Sequence, residues 1–538
     1  MARQNINVRL GIFIALAAVL LALPSSPAWA AQPYRPELRI AESNGNVTLS
    51  WPREAYYYAL VGKTNFNDQG AWSGIATTAA AFSNAIPFLG GLDVATNFAG
   101  DAFNYNVTAT KEQSYYGLVG LRYIPLCQFA IFYQGLLEFS TTAAVTYNGP
   151  IHANGNIYTG TSASLTFNRP VTTAGTISSP PWNGQGPGWN DTGTFTGTPA
   201  FVTNVVPFEV RTAGGFTNLH EIIDMPPVGE DPASSPGGSR YYNQAQIVVL
   251  VSNTTVSARI QAASAMNNPG SDPAPIYLWT NLGPAMTFAF PFLTTNSFYD
   301  ARESKVVQAI QIDLGRYKLW LGTNASVLAK FHPGLGAYPA ILYIADKRTN
   351  TSAAMSAIRI TNGMALPYNG GVGFTLVTPN PLYVWGNYNC TNLSHLGTTN
   401  TFSAVRSALI CDALTVLSGA WRDSGSSASL SARVSSSTNT LNAAIIAGNV
   451  PSTGSSSSQF SGGVHNLVRL LENWSASTLW INGSFACLYP STVATIQFQN
   501  PGVYFNPPTR KFAFDQSFAN SIAAPPGCPI IGVPDPNE

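Results

Sequence analysis

The stretch TYNGPIHANGNIYTG, Thr146–Gly160, holds two isoleucines six residues apart, Ile151 and Ile157, among glycines, asparagines and one histidine, His152. Val145 lies six residues before Ile151, and after a step of eight Leu165, Val171 and Ile177 repeat the spacing. The residues between are small or polar, with Gly149, Gly155, Gly160 and Gly175 at the expected corners. A hairpin sheet would alternate apolar and polar residues and turn every eight to twelve residues or so. One inward apolar residue per short face, with a turn after each face, is instead the pattern of stacked parallel coils. The two sets of three make two coils, with two extra residues near Thr159–Gly160. Two coils cannot stand alone, so others are expected. The pairs Ile360/Leu366, Leu376/Leu382, Leu382/Tyr388 and Ile481/Cys487 are again six apart, and Leu414 and Val416 add a further strand. Asn tolerates left-handed corners and can bond neighbouring peptides, which gives Asn148, Asn154, Asn156 and Asn389 a structural task that His152 is expected to share.

The 538 residues allow several domains. Only 9% are charged and the net charge is +1, which argues against nucleic acid, since that partner requires a concentrated basic surface. With 45% apolar residues a large core can form. Arg3 and Arg9, the apolar run GIFIALAAVLLALP and the small-x-small AWA at Ala28–Ala30 predict a secretory signal peptide cut near Ala30. The later segments are too short or too polar to span a bilayer. The five cysteines, Cys127, Cys390, Cys411, Cys487 and Cys528, form no metal-binding spacing, and their pairing cannot be read from the sequence.

The expected fold is mainly β: a signal peptide over 1–30, a small sandwich over 31–121, a first β-solenoid part over 122–180, a long α/β insertion over 181–350, and a second solenoid part over 351–538 with capping helices and a tail. An irregular β-sandwich is the alternative. Within the insertion, AQIVVLVSNTTVSARI predicts a hairpin, TNLHEIIDMPPVGEDP one helical turn ending at Pro226, SFYDARESKVVQAIQIDLGRYKLWLG a strand and then a helical turn, and AILYIADKR a buried strand. Further on, SSSTNTLNAAIIAGNVPSTGSSSSQFSGG is expected to hold a short helix and then a flexible serine-rich loop, and VHNLVRLLENW places Val464, Leu467, Val468, Leu471 and Trp474 on one face of a capping helix.

Enzymes that cleave polysaccharides need paired carboxylates or a cluster of acidic oxygens around calcium. Neither Asp nor Glu occurs between Phe139 and Asn190 or between Lys347 and Cys411, where most of the proposed coils lie. The remaining candidates are His220, Glu221, Asp224, Glu230, Asp231, Asp300, Glu303 and Asp313, better explained as caps, solvated loops or salt bridges with Arg302 or Lys305. No G-x-S-x-G elbow is present, NAAIIAG and GGVG lack the Lys of a phosphate-binding loop, and His332, His395 and His465 are scattered. Catalytic, cofactor-binding and metal-binding residues are therefore expected to be none. Trp182, Trp189 and Trp385 offer flat aromatic faces for a partner or glycan, although core packing is the plainer role for Trp385.

Two resemblances add to this reading. NVTLSWP near the start and QSYYGLVGLRY at the close of the first module resemble fibronectin-type-III-like modules of secreted bacterial proteins. IPLCQFAIFYQGLLEFS, GPIHANGNIYTG, TPNPLYVWGNYN, GGVHNLVRLLENWS, LWINGSFACLYPS and YFNPPTRKFAFD resemble an uncharacterised exported bacterial family related to PilX-like accessory proteins of type IV pili. That likeness covers roughly Ile124 to Pro529 and implies an envelope or surface role, with pilus-like proteins or surface glycans as partners and no catalytic residue to carry over. Pilin-like proteins begin with a basic leader, a Gly before the cut and a long helix with an early Glu. PSSPAWAAQ is an ordinary secretory site instead, which puts incorporation into a pilus shaft in doubt.

Overall fold

The computed structural model describes residues 39–43, 46–52, 58–63, 73–77, 102–108 and 115–534, except 140–143, 186–192, 212–215, 217, 283–288, 368–370, 436 and 500–501; side chains are described from Tyr123 to Val533. The expected signal peptide, its cleavage site and Trp189 lie outside the described residues. The chain divides into two compact units, 1–55 with 95–108, and 56–94 with 109–538. The first holds one antiparallel sheet of three strands, Arg39–Ser43, Asn46–Pro52 and Ala102–Thr108. In the second, Tyr58–Lys63, Ser73–Thr77 and Tyr115–Pro125 form a five-stranded sheet with Glu209–Val210 and the C-terminal strand Ile530–Pro534. The span 31–121 thus contributes to both units.

The fold is mainly β with long parallel sheets. The longest holds eleven parallel strands; Thr509–Phe514 pairs beside the start of one of them, and the ten on its continuous path are numbered here along the chain: β1 (Ile131–Tyr133), β2 (Ile151–Ala153), β3 (Val171–Thr173), β4 (Phe201–Val202), β5 (Ile247–Val251), β6 (Ile341–Asp346), β7 (Phe374–Thr378), β8 (Ser407–Cys411), β9 (Asn439–Ala447) and β10 (Thr478–Cys487). Their order in space is β4-β3-β2-β1-β10-β9-β8-β7-β6-β5. Ile247, Leu342, Leu376, Leu409, Ile445, Phe485, Ile131, Ile151, Val171 and Phe201 stand in register as one column across all ten. A second parallel column runs Ile310, Ile358, Leu382, Leu414 and Val468 through another sheet. Except for the partly exposed Phe201, both columns meet in one buried core.

The six-residue spacing at Val145–Ile177 is a set of steps from one sheet to the next. Leu137, Ile157 and Ile177 pair in one short parallel sheet, and Val145 pairs with Leu165 in another. Ile131 and Leu137 belong to a further turn of this pattern that the spacing alone did not flag. Leu376 and Leu382 also step between sheets, but Ile481 and Cys487 lie in the same strand, β10.

Three expectations are corrected. The span 181–350 does not interrupt the ladder, because it supplies β4, β5 and β6. NAAIIAG lies in β9, not in a helix, and VHNLVRLLENW is a three-residue 3-10 turn, Val464–Asn466, followed by the strand Val468–Leu470 paired with Leu414–Leu417. Both segments are buried on two faces. A strand covered on both sides reads as a continuous apolar run and loses its period of two. The longest helix among the described residues, α1 (Leu314–Thr323), begins where Asp313 Oδ1 accepts the Arg316 N–H. It packs Tyr317 and Trp320 on Phe292, each with ring centroids 5.0 Å apart.

The hairpin over 247–260, the short turn Leu219–Ile222 and the buried strand β6 match their sequence patterns. SFYDARESKVVQAIQID instead covers parts of two antiparallel strands, Leu293–Asp300 and Lys305–Asp313, before α1. The outer face of the ladder is covered too: Val248, Tyr343, Val377, Ile410, Ile446, Ala486 and Phe132 pack with Phe208, Ile223, Phe514 and Phe518. Close stacking leaves no room at Gly483 in β10, where an added Cβ would overlap the Ala443 carbonyl of β9. Gly483→Ala is expected to separate these two strands and lower stability by about 3 kcal/mol or more. Thermal unfolding of the purified variant checks this, and an unchanged midpoint would contradict the packing.

Candidate functional site

His152 belongs to the ladder. It is fully buried on β2, with its ring stacked on Phe208 at a centroid distance of 3.6 Å. Asn154 Oδ1 accepts the Phe208 N–H at 2.7 Å and lies 2.8 Å from His152 Nε2, which makes Nε2 the protonated nitrogen. Nδ1 then accepts from the Thr172 hydroxyl at 2.8 Å. Burial lowers the imidazole pKa to about 4, against the opposing Asn154 contact, so the ring is neutral. The other asparagines also bond along the stack: Asn168 donates to Asn148 at 2.7 Å, Asn156 accepts the Thr176 N–H at 3.0 Å, and Asn389, at φ 57°, donates to the Val405 and Asn442 carbonyls.

Of the acidic candidates, most serve the fold. Glu221 and Glu230 both pair with Arg240, at 3.3 and 2.6 Å. Asp231 accepts the Ala233 N–H, and Asp313 caps α1. Asp300 accepts the Tyr383 hydroxyl at 2.6 Å, and Glu303 pairs with Arg469 at 2.7 Å. The arginine partners of these acids are therefore Arg240, Arg469 and, at 3.8 Å from Asp313, Arg316 rather than Arg302 or Lys305; Arg302 donates to the Ile496 carbonyl. Trp385 is half-buried, with the Arg359 guanidinium 5.0 Å from its ring centre, and Trp182 is also half-buried. His332 is exposed, His395 bonds Ser403 and Asn392, and His465 lies 3.4 Å from the Tyr147 hydroxyl.

One titratable cluster remains. His220 Nδ1 is 3.0 Å from Asp224 and Nε2 is 3.2 Å from Asp412, a residue the sequence did not single out. Asp412 is fully buried and accepts the N–H groups of Thr492, Val493 and Ala494. The Thr492 hydroxyl lies 3.2 Å from His220 Nε2 and donates to Asp412 at 3.1 Å. Burial alone would lower the His220 pKa, but its contacts with Asp224 and Asp412 outweigh burial and raise it to about 9. Burial opposes ionisation of Asp412, yet the His220 contact and the Ala494 and Thr492 amides hold its pKa below the usual value. A cationic imidazole whose Nε2 proton faces Asp412 cannot accept the Thr492 proton, so the grouping fails as a nucleophile–base pair. Its effect is mechanical: it holds segment 491–494 from one side, while Arg469 bonds the Ala494 carbonyl and Glu303 bonds the Ile496 N–H from the other.

This clamp gives stability a defined pH dependence. The His220 contribution is full below its ordinary value of 6.5 and is lost as pH rises through about 9. The Asp412 contribution is full above 3.8 and is lost as pH falls through its lowered folded value. The unfolding midpoint is expected to fall between pH 7 and 9 or so, and His220→Gln is expected to flatten that alkaline limb. Melting curves across pH for both proteins check it; identical limbs would refute the ion pairs.

A separate cleft of about 700 Å³ opens beside Asn148, Asn400, Thr401, Phe402, Arg406 and Gln516. Phe402 is 93% exposed on its rim. Among the described residues no group of three or more His, Cys, Asp or Glu side chains is placed to hold a metal ion, and no helix is long and apolar enough to cross a membrane. Compared with family models, with curated proteins and with solved structures, the chain finds no match in any of the three.

Proposed function

We propose that this chain is an exported, non-enzymatic envelope or cell-surface protein, a parallel β-solenoid that presents loops to pilus-like proteins or surface glycans. The observation that carries the reading is the engagement of its acids. Asp300, Glu303 and Asp412 are buried in pairs or hydrogen-bond nests, and Glu221 and Glu230 share Arg240. Glycan hydrolysis needs two available carboxylates flanking the bond. The stacked apolar columns support the solenoid, since each coil buries its inward residue only against its neighbours. The leader-like pattern over 1–30 supports export. The cleft beside Phe402 suits a glycan: an exposed ring for stacking, amide and hydroxyl groups for hydrogen bonds.

The test has two arms. Incubation of the full chain with bacterial and plant polysaccharides is expected to release no reducing or unsaturated ends. Release that disappears in Glu221→Gln or Asp224→Asn would replace this reading with a glycan-active enzyme. Cell fractionation should find the protein in the envelope or medium with an N-terminus near Ala31, and a retained Met1 would sink the export assignment.

A further inference from the structure

We infer that Cys127 and Cys528 are a disulfide site that fastens the C-terminal strand to the start of the parallel ladder. The strand Ile530–Pro534 runs antiparallel to Tyr115–Pro125, with Ile530 opposite Pro125. The Leu126 N–H donates to the Pro529 carbonyl at 2.8 Å, which carries the same register one rung further. Cys127 and Cys528 are the next residue on each side, Cys127 within the 3-10 helix Leu126–Gln128 and Cys528 in the turn closed by its own N–H on the Pro525 carbonyl. The contact is direct: the Cys127 N–H lies 3.4 Å from Cys528 Sγ, and the two thiols are within hydrogen-bonding reach. Both side chains are buried, at 2% and 7% exposure, so the pair is sealed once the last strand docks.

The other cysteines have no such geometry. Cys411 is in register with Ala447, and Cys487 follows Ala486, the partner of Ile446, so Cys411 and Cys487 stand two rungs apart. That separation, about 9–10 Å, exceeds the reach of a disulfide. Cys390 is turned toward the Asn392 carbonyl. In an exported chain the oxidant is a thiol–disulfide exchange protein. The Cys127 and Cys528 thiols give up two protons and two electrons, one S–S bond forms between them, and the acceptor's S–S bond is reduced to two thiols. In this respect the inference rests on the proposed export, but the chemistry of the pair does not.

The experiment refolds the full chain with glutathione disulfide and, in parallel, isolates it from its native compartment. After denaturation under acid-quenched conditions, three of the five cysteines are expected to titrate as thiols, with one linked peptide pair containing Cys127 and Cys528. The oxidised form is expected to melt about 5 °C or more above the reduced form. Cys127→Ser is expected to leave all four remaining cysteines as thiols. Five thiols after refolding with glutathione disulfide, or a linked pair that survives Cys127→Ser, would overturn the assignment. A bond formed in vitro alongside five thiols in the native isolate would uphold the site and overturn the export reading instead.

Discussion

Ile151→Asp is expected to unfold far below the temperature at which His152→Ala unfolds. Ile151 is 1% exposed within the long apolar column, between Ile131 and Val171. A carboxylate there would sit between Ile131 and Val171 in the apolar core, so it must be buried charged or take up a proton. Either route costs several kcal/mol, and the lost aliphatic contacts add to it, for a total of about 5 kcal/mol or more. The neighbouring His152 points to the other side of the same strand. Its truncation removes the stack on Phe208 and two side-chain hydrogen bonds, at about 2–3 kcal/mol. Any glycan or partner binding should survive in His152→Ala, since the ring is sealed from solvent. Melting both variants beside the parent checks the order, and equal midpoints would remove Ile151 from the core column.

Asp412→Ala should be the most damaging change to a charged residue. It strips three backbone N–H groups of segment 492–494 of their acceptor and leaves His220 with Asp224 as its sole carboxylate. Removing one partner of a buried pair costs about 3–5 kcal/mol, because the other partner stays desolvated. The released segment should also become a site of proteolytic nicking between about residues 490 and 499. Asp412→Asn, which keeps an acceptor oxygen, should lie between the two. A parent-like protease pattern in Asp412→Ala would show that Arg469 and Glu303 hold the segment without help.

The part of the fold legible in the sequence is the part whose inward aliphatics stand singly among polar or small residues. Around Ile151 and Ile157 the inward residues are isolated aliphatics among polar ones, so their spacing survives. Strands such as β6 and β9 are buried at every position, and no period marks them. That is why 439–447 and 464–474 suggested helices. The adjacency of β1 and β10 leaves no local trace, since it joins Ile131 to Phe485. At the clamp, His220 and Asp224 were legible as neighbours four apart. Asp412 lies 192 residues from His220, and its only hint is that it ends a long acid-free run. Arg302 and Lys305 were the nearby cations the sequence offered, but the Glu303 carboxylate reaches Arg469, 166 residues away.

The order of the ladder has a consequence for synthesis. A chain made from its N-terminus can stack β1 to β4 early, yet the free edge of β1 stays open until β10 emerges, more than 340 residues later. Until then the unfinished protein carries an unpaired strand edge at what will become the middle of the sheet, a template for pairing with other nascent chains. A protein cut short before Thr478 would keep that edge permanently, and its two halves would be left without the rung that joins them. Premature termination is therefore expected to give aggregates rather than a frayed but soluble fold, and a chaperone that shields strand edges would be most needed just before β10 leaves the ribosome.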